Sequence, residues 1–253
     1  MSKIGIFDSG IGGLSVFKVI NENFPNCDYI YLGDEGYYPY GIKTRDEIID
    51  RSSKIVDFLI KEKVDLIVVA CNTVSSIALN YLKERFKIPI FGVIDGAVSK
   101  SVSLTKNKKI GVIATPLTAS SHVYKNKILE LDNSIEVFEI GSQELVNIVE
   151  NGVKIDNPIY KLIEKTILPI QSCDTLILGC THFPALEDVI KKVLNNVKIV
   201  DPAYEIIPFI KDYVNCLGKG EKIFYTTKDK DSFKYKAKIF IKNFNFDVYE
   251  VNI

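Results

Sequence analysis

Two apolar runs in this chain match each other without a gap, 109 residues apart: Asp65-Leu-Ile-Val-Val-Ala-Cys71-Asn-Thr73 and Asp174-Thr-Leu-Ile-Leu-Gly-Cys180-Thr-His182. Near-continuous apolar runs of this length mark strands buried on both faces, as in parallel sheets covered by helices. Two further pairs keep the same order. Lys109-Ile-Gly-Val-Ile-Ala-Thr-Pro116 echoes Lys3-Ile-Gly-Ile-Phe-Asp-Ser-Gly10, and Val200-Asp201-Pro-Ala echoes Val93-Ile-Asp95-Gly-Ala. Three matched strand ends in one order imply an internal duplication. The expected fold is α/β: two similar parallel-sheet α/β domains, with a ligand cleft between them at the carboxyl ends of the strands.

Strand and helix patterns alternate along the chain. Residues 3–7 read as a strand, and the turn Asp8-Ser-Gly-Ile-Gly-Gly13 opens a helix to Phe24. Residues 27–32 are the next strand. Thr44-Arg-Asp-Glu47 has the form of a capping box, and Ile48, Ile55 and Leu59 follow at helical spacing. Strands over 66–70 and 89–94 enclose a helix over 75–86. After Asp201 the duplication breaks off. A helix over 204–213 and a strand over 222–227 precede an amphipathic helix over 231–243, with Phe233, Ala237, Phe240, Ile241 and Phe244 apolar. A strand over 247–251 ends the pattern. This tail is expected to return to the first sheet, giving a discontinuous first domain (1–95 plus 208–253) around a second (96–207).

Basic and acidic residues both total 32, so a net charge of zero offers no field for nucleic acid. Only Arg45, Arg51 and Arg85 are arginines, few candidates for a bidentate clamp on a carboxylate. No uncharged apolar stretch reaches the roughly 18 residues of a membrane span, and the first residues run into a strand pattern rather than a signal peptide. The five cysteines, an odd number, do not resemble a disulfide framework and fit a reducing cytoplasm. The partner expected is a small molecule, with no nucleic acid and no membrane; a homodimer is left open.

A cysteine by itself is a common buried apolar residue, and Cys27, Cys173 and Cys216 are read that way. The matched, polar-flanked contexts of Cys71 and Cys180 point instead to paired thiols beside helix N-termini that stabilise the thiolate. Opposed thiols are suited to proton transfer on both faces of one carbon. His182 can serve such a thiol as base, hydrogen-bond partner or metal ligand. Cys-x-His matches no common zinc spacing, so no metal is expected. His122 reads as a helix-surface residue.

The turn from Asp8 to Gly13 is a poor dinucleotide fingerprint, because Ser15 stands where G-x-G-x-x-G needs its last glycine. It reads better as a nest of backbone N–H groups for a small carboxylate, with Asp8 acting on an ammonium or a thiol. The plain alternative is a capping turn that needs flexible glycines. Thr115 and Thr118 either donate to a substrate or cap a helix. Pro39-Tyr40-Gly41 closes an aromatic loop that otherwise reads as a surface turn. Glu150 lies near a helix end where a lysine would suit the dipole better, a misfit that hints at function.

Asp8-Ser-Gly-Ile-Gly-Gly-Leu-Ser-Val16, Pro39-Tyr-Gly41, Ala70-Cys-Asn-Thr73, Ala114-Thr-Pro-Leu-Thr118, Val149-Glu150 and Gly179-Cys-Thr-His182 together resemble the glutamate racemase family, within the aspartate/glutamate racemase group. The resemblance runs through nearly the whole chain. It implies a cofactor-independent isomerase that converts L-glutamate to D-glutamate for bacterial peptidoglycan. It also implies that Cys71 is the base toward D-glutamate and Cys180 the base toward L-glutamate. Asp8 would support Cys71, and His182 with Glu150 would support Cys180. Ser9, Pro39, Tyr40, Gly41, Asn72, Thr73, Thr115, Thr118 and Thr181, with Asp8 and His182, would hold the carboxylates and ammonium. One departure stands out: the family often has Gly/Ala-Asp-Thr/Gln-Ala ahead of Pro-Tyr-Gly, where this chain reads Gly33-Asp-Glu-Gly-Tyr-Tyr38. Glu35 and the extra tyrosines are expected at the mouth of the cleft.

The residues themselves agree with that chemistry. Enzymes that remove an amino acid's α-proton mostly use pyridoxal phosphate on a lysine, and no motif singles out one of the 29 lysines. Without a cofactor, the site must desolvate its substrate, hold a carboxylate with oriented neutral donors and keep one thiolate opposite one thiol. A racemase of aspartate or of a hydantoin fits two thiols equally well. A hydrolase using one cysteine with His182 leaves the matched cysteine unexplained, and no feature speaks for a sensor or inhibitor.

Overall fold

The computed structural model describes residues 2–152, 155–241 and 246–253. Among them, ten strands form two sheets, and every pairing is parallel. The first sheet takes β1 (Lys3–Asp8), β2 (Asp28–Gly33), β3 (Leu66–Val69) and β4 (Ile90–Gly92). The second takes β5 (Lys109–Ala114), β6 (Glu136–Gly141), β7 (Thr175–Gly179) and β8 (Lys198–Val200). The chain then comes back to the first sheet, where β9 (Lys222–Thr226) pairs with β2, and β10 (Val248–Glu250) pairs with β9. The strand orders are β10-β9-β2-β1-β3-β4 and β6-β5-β7-β8. The first four strands of each half thus follow one topology, and the molecule consists of two similar parallel-sheet α/β domains.

Alternation along each strand divides the side chains between two helix layers. In the first sheet Ile4, Ile6, Tyr29, Tyr31, Leu66 and Val68 join one core, while Phe7, Ile30, Leu32, Ile67 and Val69 join the other. The second sheet repeats this, with Ile110, Val112 and Ile177 on one side and Ile113, Leu176 and Leu178 on the other. Each such fully buried side chain contributes about 1.5–3 kcal/mol of transfer free energy. Burial on both faces is why the strands read as unbroken apolar runs.

Several local expectations shift by a few residues for identifiable reasons. The capping box forms, with Thr44 Oγ1 accepting from Glu47 N and Glu47 Oε2 accepting from Thr44 N at 2.8 Å. The helix expected over 75–86 starts earlier, at Asn72, because Cys71 is itself the N-cap residue and its carbonyl accepts from Ser75 N; it is also broken at Ala78. The helix expected over 204–213 is three short pieces, Pro202–Glu205, Ile207–Ile210 and Lys211–Tyr213, the second with Pro208 in its first turn. The amphipathic helix of the tail runs over Lys230–Ala237; Asn243 and Phe244, at its expected end, lie outside the described residues.

One expectation is overturned. Cys27 and Cys216 form a disulfide, whereas both were read as ordinary cysteines in a chain without disulfides. The returning chain brings them together: Asn215 N donates to Ser2 Oγ, Ser2 N donates to Asn215 O, and Asp28 N donates to Ser2 O. The bond fastens the start of β2 to the segment leading into β9. No helix among the described residues is long and apolar enough to cross a membrane.

Candidate active site

The carboxyl ends of both sheets meet. Asp8 ends β1 and Cys71 follows β3, while Thr115 follows β5 and Cys180 follows β7. In each half the strand pair flanks the point where successive connections leave the sheet in opposite directions, the usual ligand crevice of an open α/β sheet. Between the halves lies a cavity of about 10 Å3, lined from one side by Ser9, Tyr40, Gly41, Cys71, Asn72 and Thr73, and from the other by Thr115, Gln143, Cys180, Thr181 and His182. Such a volume holds about one water.

The two thiols face this cavity from opposite halves but have different surroundings. Burial pushes the Cys71 thiol up to about 12, and the charge of Asp8 adds to the rise; the Val74 amide and the Ser9 hydroxyl pull the other way and lose. The helix N-terminus does favour the thiolate at Cys71, through the Val74 amide, but desolvation outweighs that one contribution. Asp8, fully buried, is raised to about 6 by desolvation, against the pull of His182 and of the Gly10 and Gly13 amides. Thr181 Oγ1 donates to Asp8 Oδ1 at 3.3 Å, tying the second half to the first.

Cys180 Sγ lies 3.5 Å from His182 Nδ1, and the other ring nitrogen, Nε2, bonds Glu150 Oε2. Burial opposes protonation of His182, but the hydrogen bonds and charges of Cys180 and Glu150 overcome it and raise its pKa well above the usual histidine value. Glu150 is the last residue of the helix Gln143–Glu150 and is buried. That explains the sequence misfit: its carboxylate faces His182 and not solvent.

Neutral donors line the rest. Thr73, Thr115 and Thr118 form a ring of hydroxyls at 2.9–3.3 Å. Thr115 also accepts from Thr118 N and so caps the following helix, and Thr118 is buried behind it, away from the cavity wall. Asn72 Oδ1 accepts from Tyr124 Oη at 2.5 Å, leaving its amide nitrogen for a ligand. Tyr40 donates to Asp34 Oδ2 at 2.5 Å, and Arg51 grips the same carboxylate from two nitrogens at 2.7 and 2.6 Å.

Other expectations are redirected. The glycines of the first turn are not needed for left-handed backbone or for a free nest. Gly10 N is taken by Asp8 Oδ2 at 3.1 Å. A Cβ at Gly13 would stand 2.4 Å from Asp8 Cβ, and one at Gly12 would stand 2.5 Å from Thr181 Oγ1, so close approach is what excludes a side chain. Glu35, paired with Lys236, lines a cavity of about 230 Å3 that adjoins the cleft through Tyr38 and Glu150. Tyr37 turns away toward Glu47, Lys43 and Arg51. His122 is exposed and paired with Glu139 at 2.6 Å. Gln143 and Val146 reach the cavity without having been singled out; their helix has no counterpart in the duplicated motifs, so the repeat could not flag them. No group of three or more His, Cys, Asp or Glu among the described residues is placed to hold a metal ion.

Comparison with known proteins agrees with this arrangement. Residues 4–207 match the profile of the Asp/Glu/Hydantoin racemase family. A glutamate racemase of Fusobacterium nucleatum is 40% identical, covering 98% of this chain and 97% of its own length. Among solved structures, a glutamate racemase isoform of Bacillus anthracis superposes with a TM-score of 0.94 at 32% identity, over 100% of this chain and 98% of that one. A glutamate racemase of Francisella tularensis solved with D-glutamate gives 0.91 at 32% identity, over 99% and 97%. Paired thiols at matched strand ends, in two halves of one topology, are thus set in a chain that belongs to the Asp/Glu/hydantoin racemase family, among its glutamate racemases.

Proposed function

We propose that the protein interconverts L- and D-glutamate without a cofactor, by proton transfer between Cys71 and Cys180, and that its D-glutamate serves peptidoglycan synthesis. The observation that carries this reading is that both thiols line one cavity from opposite halves, each with its own acid–base partner. For D-glutamate, Asp8 receives the Cys71 proton as the sulfur withdraws the α-proton. Cys180 then delivers its own proton to the opposite face and is left as a thiolate beside the His182 imidazolium. One proton returns from Asp8 to Cys180 to complete the cycle, with Thr181 and His182 lying between them. The reverse direction runs the same transfers backward: the Cys180 proton passes to Asp8, the Cys180 thiolate withdraws the α-proton of L-glutamate, and Cys71 delivers its proton while Asp8 returns one to it. Ser9, Asn72, Thr73, Thr115 and Thr181 supply neutral hydrogen-bonding groups for the carboxylates in a buried site.

Cys180, His182 and Glu150 alone resemble a cysteine hydrolase relay. The sulfur of Cys71 in the same cavity argues against that use. The deciding experiment follows α-proton exchange of glutamate in heavy water after exhaustive chelation and without added cofactor. Exchange coupled to inversion is expected; activity restored only by a metal or by pyridoxal phosphate would sink the reading.

A pH dependence follows from Asp8. Its carboxylate accepts the Cys71 proton only when ionised, and its pKa is raised to about 6. Racemisation in both directions should therefore lose kcat/KM as pH falls through about 6, tenfold per unit below it. Asp8→Asn should lower the rate at neutral pH and remove that limb from the profile. A limb that persists in Asp8→Asn would assign it to another group.

A further inference from the structure

The helix Gln143–Glu150 does more than present its terminal glutamate. Residues 143, 147 and 150 share one face of a helix. Tyr38 Oη donates to Asn147 Oδ1 at 3.0 Å, and Gln143 Nε2 donates to that oxygen at 3.0 Å and to Tyr38 Oη at 3.4 Å. This triad crosses from the loop of the first half to the helix of the second. It engages both amide hydrogens of Gln143 and leaves Oε1 buried, without a hydrogen-bond partner among the described residues. Gln143 lines the catalytic cavity, and its Oε1 lies 2.8 Å from where a Cβ on Gly41 would stand, beside Thr115.

A buried carboxamide in a binding cavity with one of its polar atoms unpaired is a place for a ligand. Its place along the helix indicates which part of the ligand. Gln143 precedes Glu150 by seven residues, about 10 Å along the helix axis. The acid–base groups Glu150, His182 and Cys180 gather at one end of the cleft, and Gly41, Thr115 and Gln143 converge at the other. That far end carries hydroxyls and amides, suited to the substrate's distal carboxylate. A carboxamide serves there by turning over. Oε1 then accepts from Tyr38 Oη and from the reversed Asn147 amide, whose nitrogen also donates to Tyr38, so every bond of the triad survives with donor and acceptor exchanged. Gln143 Nε2 then faces the cleft.

We propose that Gln143 binds the side-chain carboxylate of the substrate and that Tyr38 and Asn147 are positioning residues for its carboxamide. This rests on the reading of the site as one for glutamate, and it makes Gln143 a determinant of dicarboxylate specificity.

The test begins with wild-type α-proton exchange of glutamate. Its absence would overturn the function itself, not this assignment. With exchange established, Gln143→Leu should raise KM for both enantiomers about tenfold to a hundredfold, the range of a hydrogen bond to a charged group, with kcat within about twofold. Inhibition by glutarate, which lacks the ammonium, should weaken by the same factor. Inhibition by 2-aminobutyrate, which lacks the distal carboxylate, should not change. Tyr38→Phe should reproduce part of the KM effect. Gln143→Glu, nearly isosteric, should reject glutamate at neutral pH and gain exchange of glutamine, whose amide can donate to the new carboxylate. Unchanged glutarate inhibition in Gln143→Leu, a defect confined to kcat, or Gln143→Glu retaining the wild-type preference for glutamate over glutamine would each overturn the proposal.

Discussion

Cys71→Ser and Cys180→Ser should each abolish racemisation in both directions, by roughly 10^3-fold or more. Either thiol is needed whichever enantiomer is supplied, because one abstracts and the other delivers. Serine keeps the shape, but its hydroxyl is a far weaker acid than a thiol, so it does not ionise to the base that must take the α-proton. Elimination from a β-chloro analogue needs abstraction alone, so each variant should keep that reaction for one enantiomer. Cys180→Ser should act on the D-form through Cys71, and Cys71→Ser on the L-form through Cys180. Steady-state racemisation and halide release, measured on the same preparations, separate the two steps. A single variant that racemises at a near-normal rate would remove the two-thiol mechanism.

Arg51→Leu should be the most damaging substitution away from the thiols. Asp34 is fully buried and takes two charge-assisted bonds from Arg51, one from Tyr40 and one from Thr227 Oγ1 at 2.6 Å. Arg51 also donates to the carbonyl of Ile253. Removing the guanidinium leaves a carboxylate without its counter-charge inside the protein, at a cost of about 3–5 kcal/mol. For a chain of this size that lowers Tm on the order of 10 °C. Adding Asp34→Asn should recover much of the stability by deleting the stranded charge. The carboxamide oxygen in Asp34→Asn can still accept from Tyr40, so the anchor is weakened but kept, and KM should rise only a few-fold in the double variant. Thermal unfolding and kinetics of the single and double variants check both halves. A single variant as stable as the wild type would show that the network is dispensable.

How much could be read beforehand depended on whether residues repeat. Asp65–Cys71 and Asp174–Cys180 were legible because buried parallel strands must be apolar throughout, and because duplication placed like residues at like strand ends. Apart from the family resemblance, Glu150 was legible only as an electrostatic oddity. Gln143 was invisible: an amide at the start of an amphipathic helix carries no period and has no twin. The bond between Cys27 and Cys216 spans 189 residues and depends on where the returning segment settles, which no local pattern encodes. Helix starts misled in a different way. The place of Cys71 just before a helix correctly suggested a favourable N-terminus, but burial outweighs it, and burial is a property of the assembled cleft.

The unlike partners of the two thiols carry a thermodynamic constraint. L- and D-glutamate are mirror images and have equal free energy in solution, so their equilibrium constant is one at every pH. Whatever Asp8 does for Cys71, or His182 and Glu150 for Cys180, the ratio of kcat/KM in the two directions cannot depart from unity, in the wild type or in any variant. The asymmetry can appear only in kcat and KM separately: the enantiomer bound more tightly turns over more slowly in the same proportion. Two halves that began as copies were therefore free to diverge in chemistry, and a mismatch between their acid–base groups changes which complex accumulates, never which product is favoured.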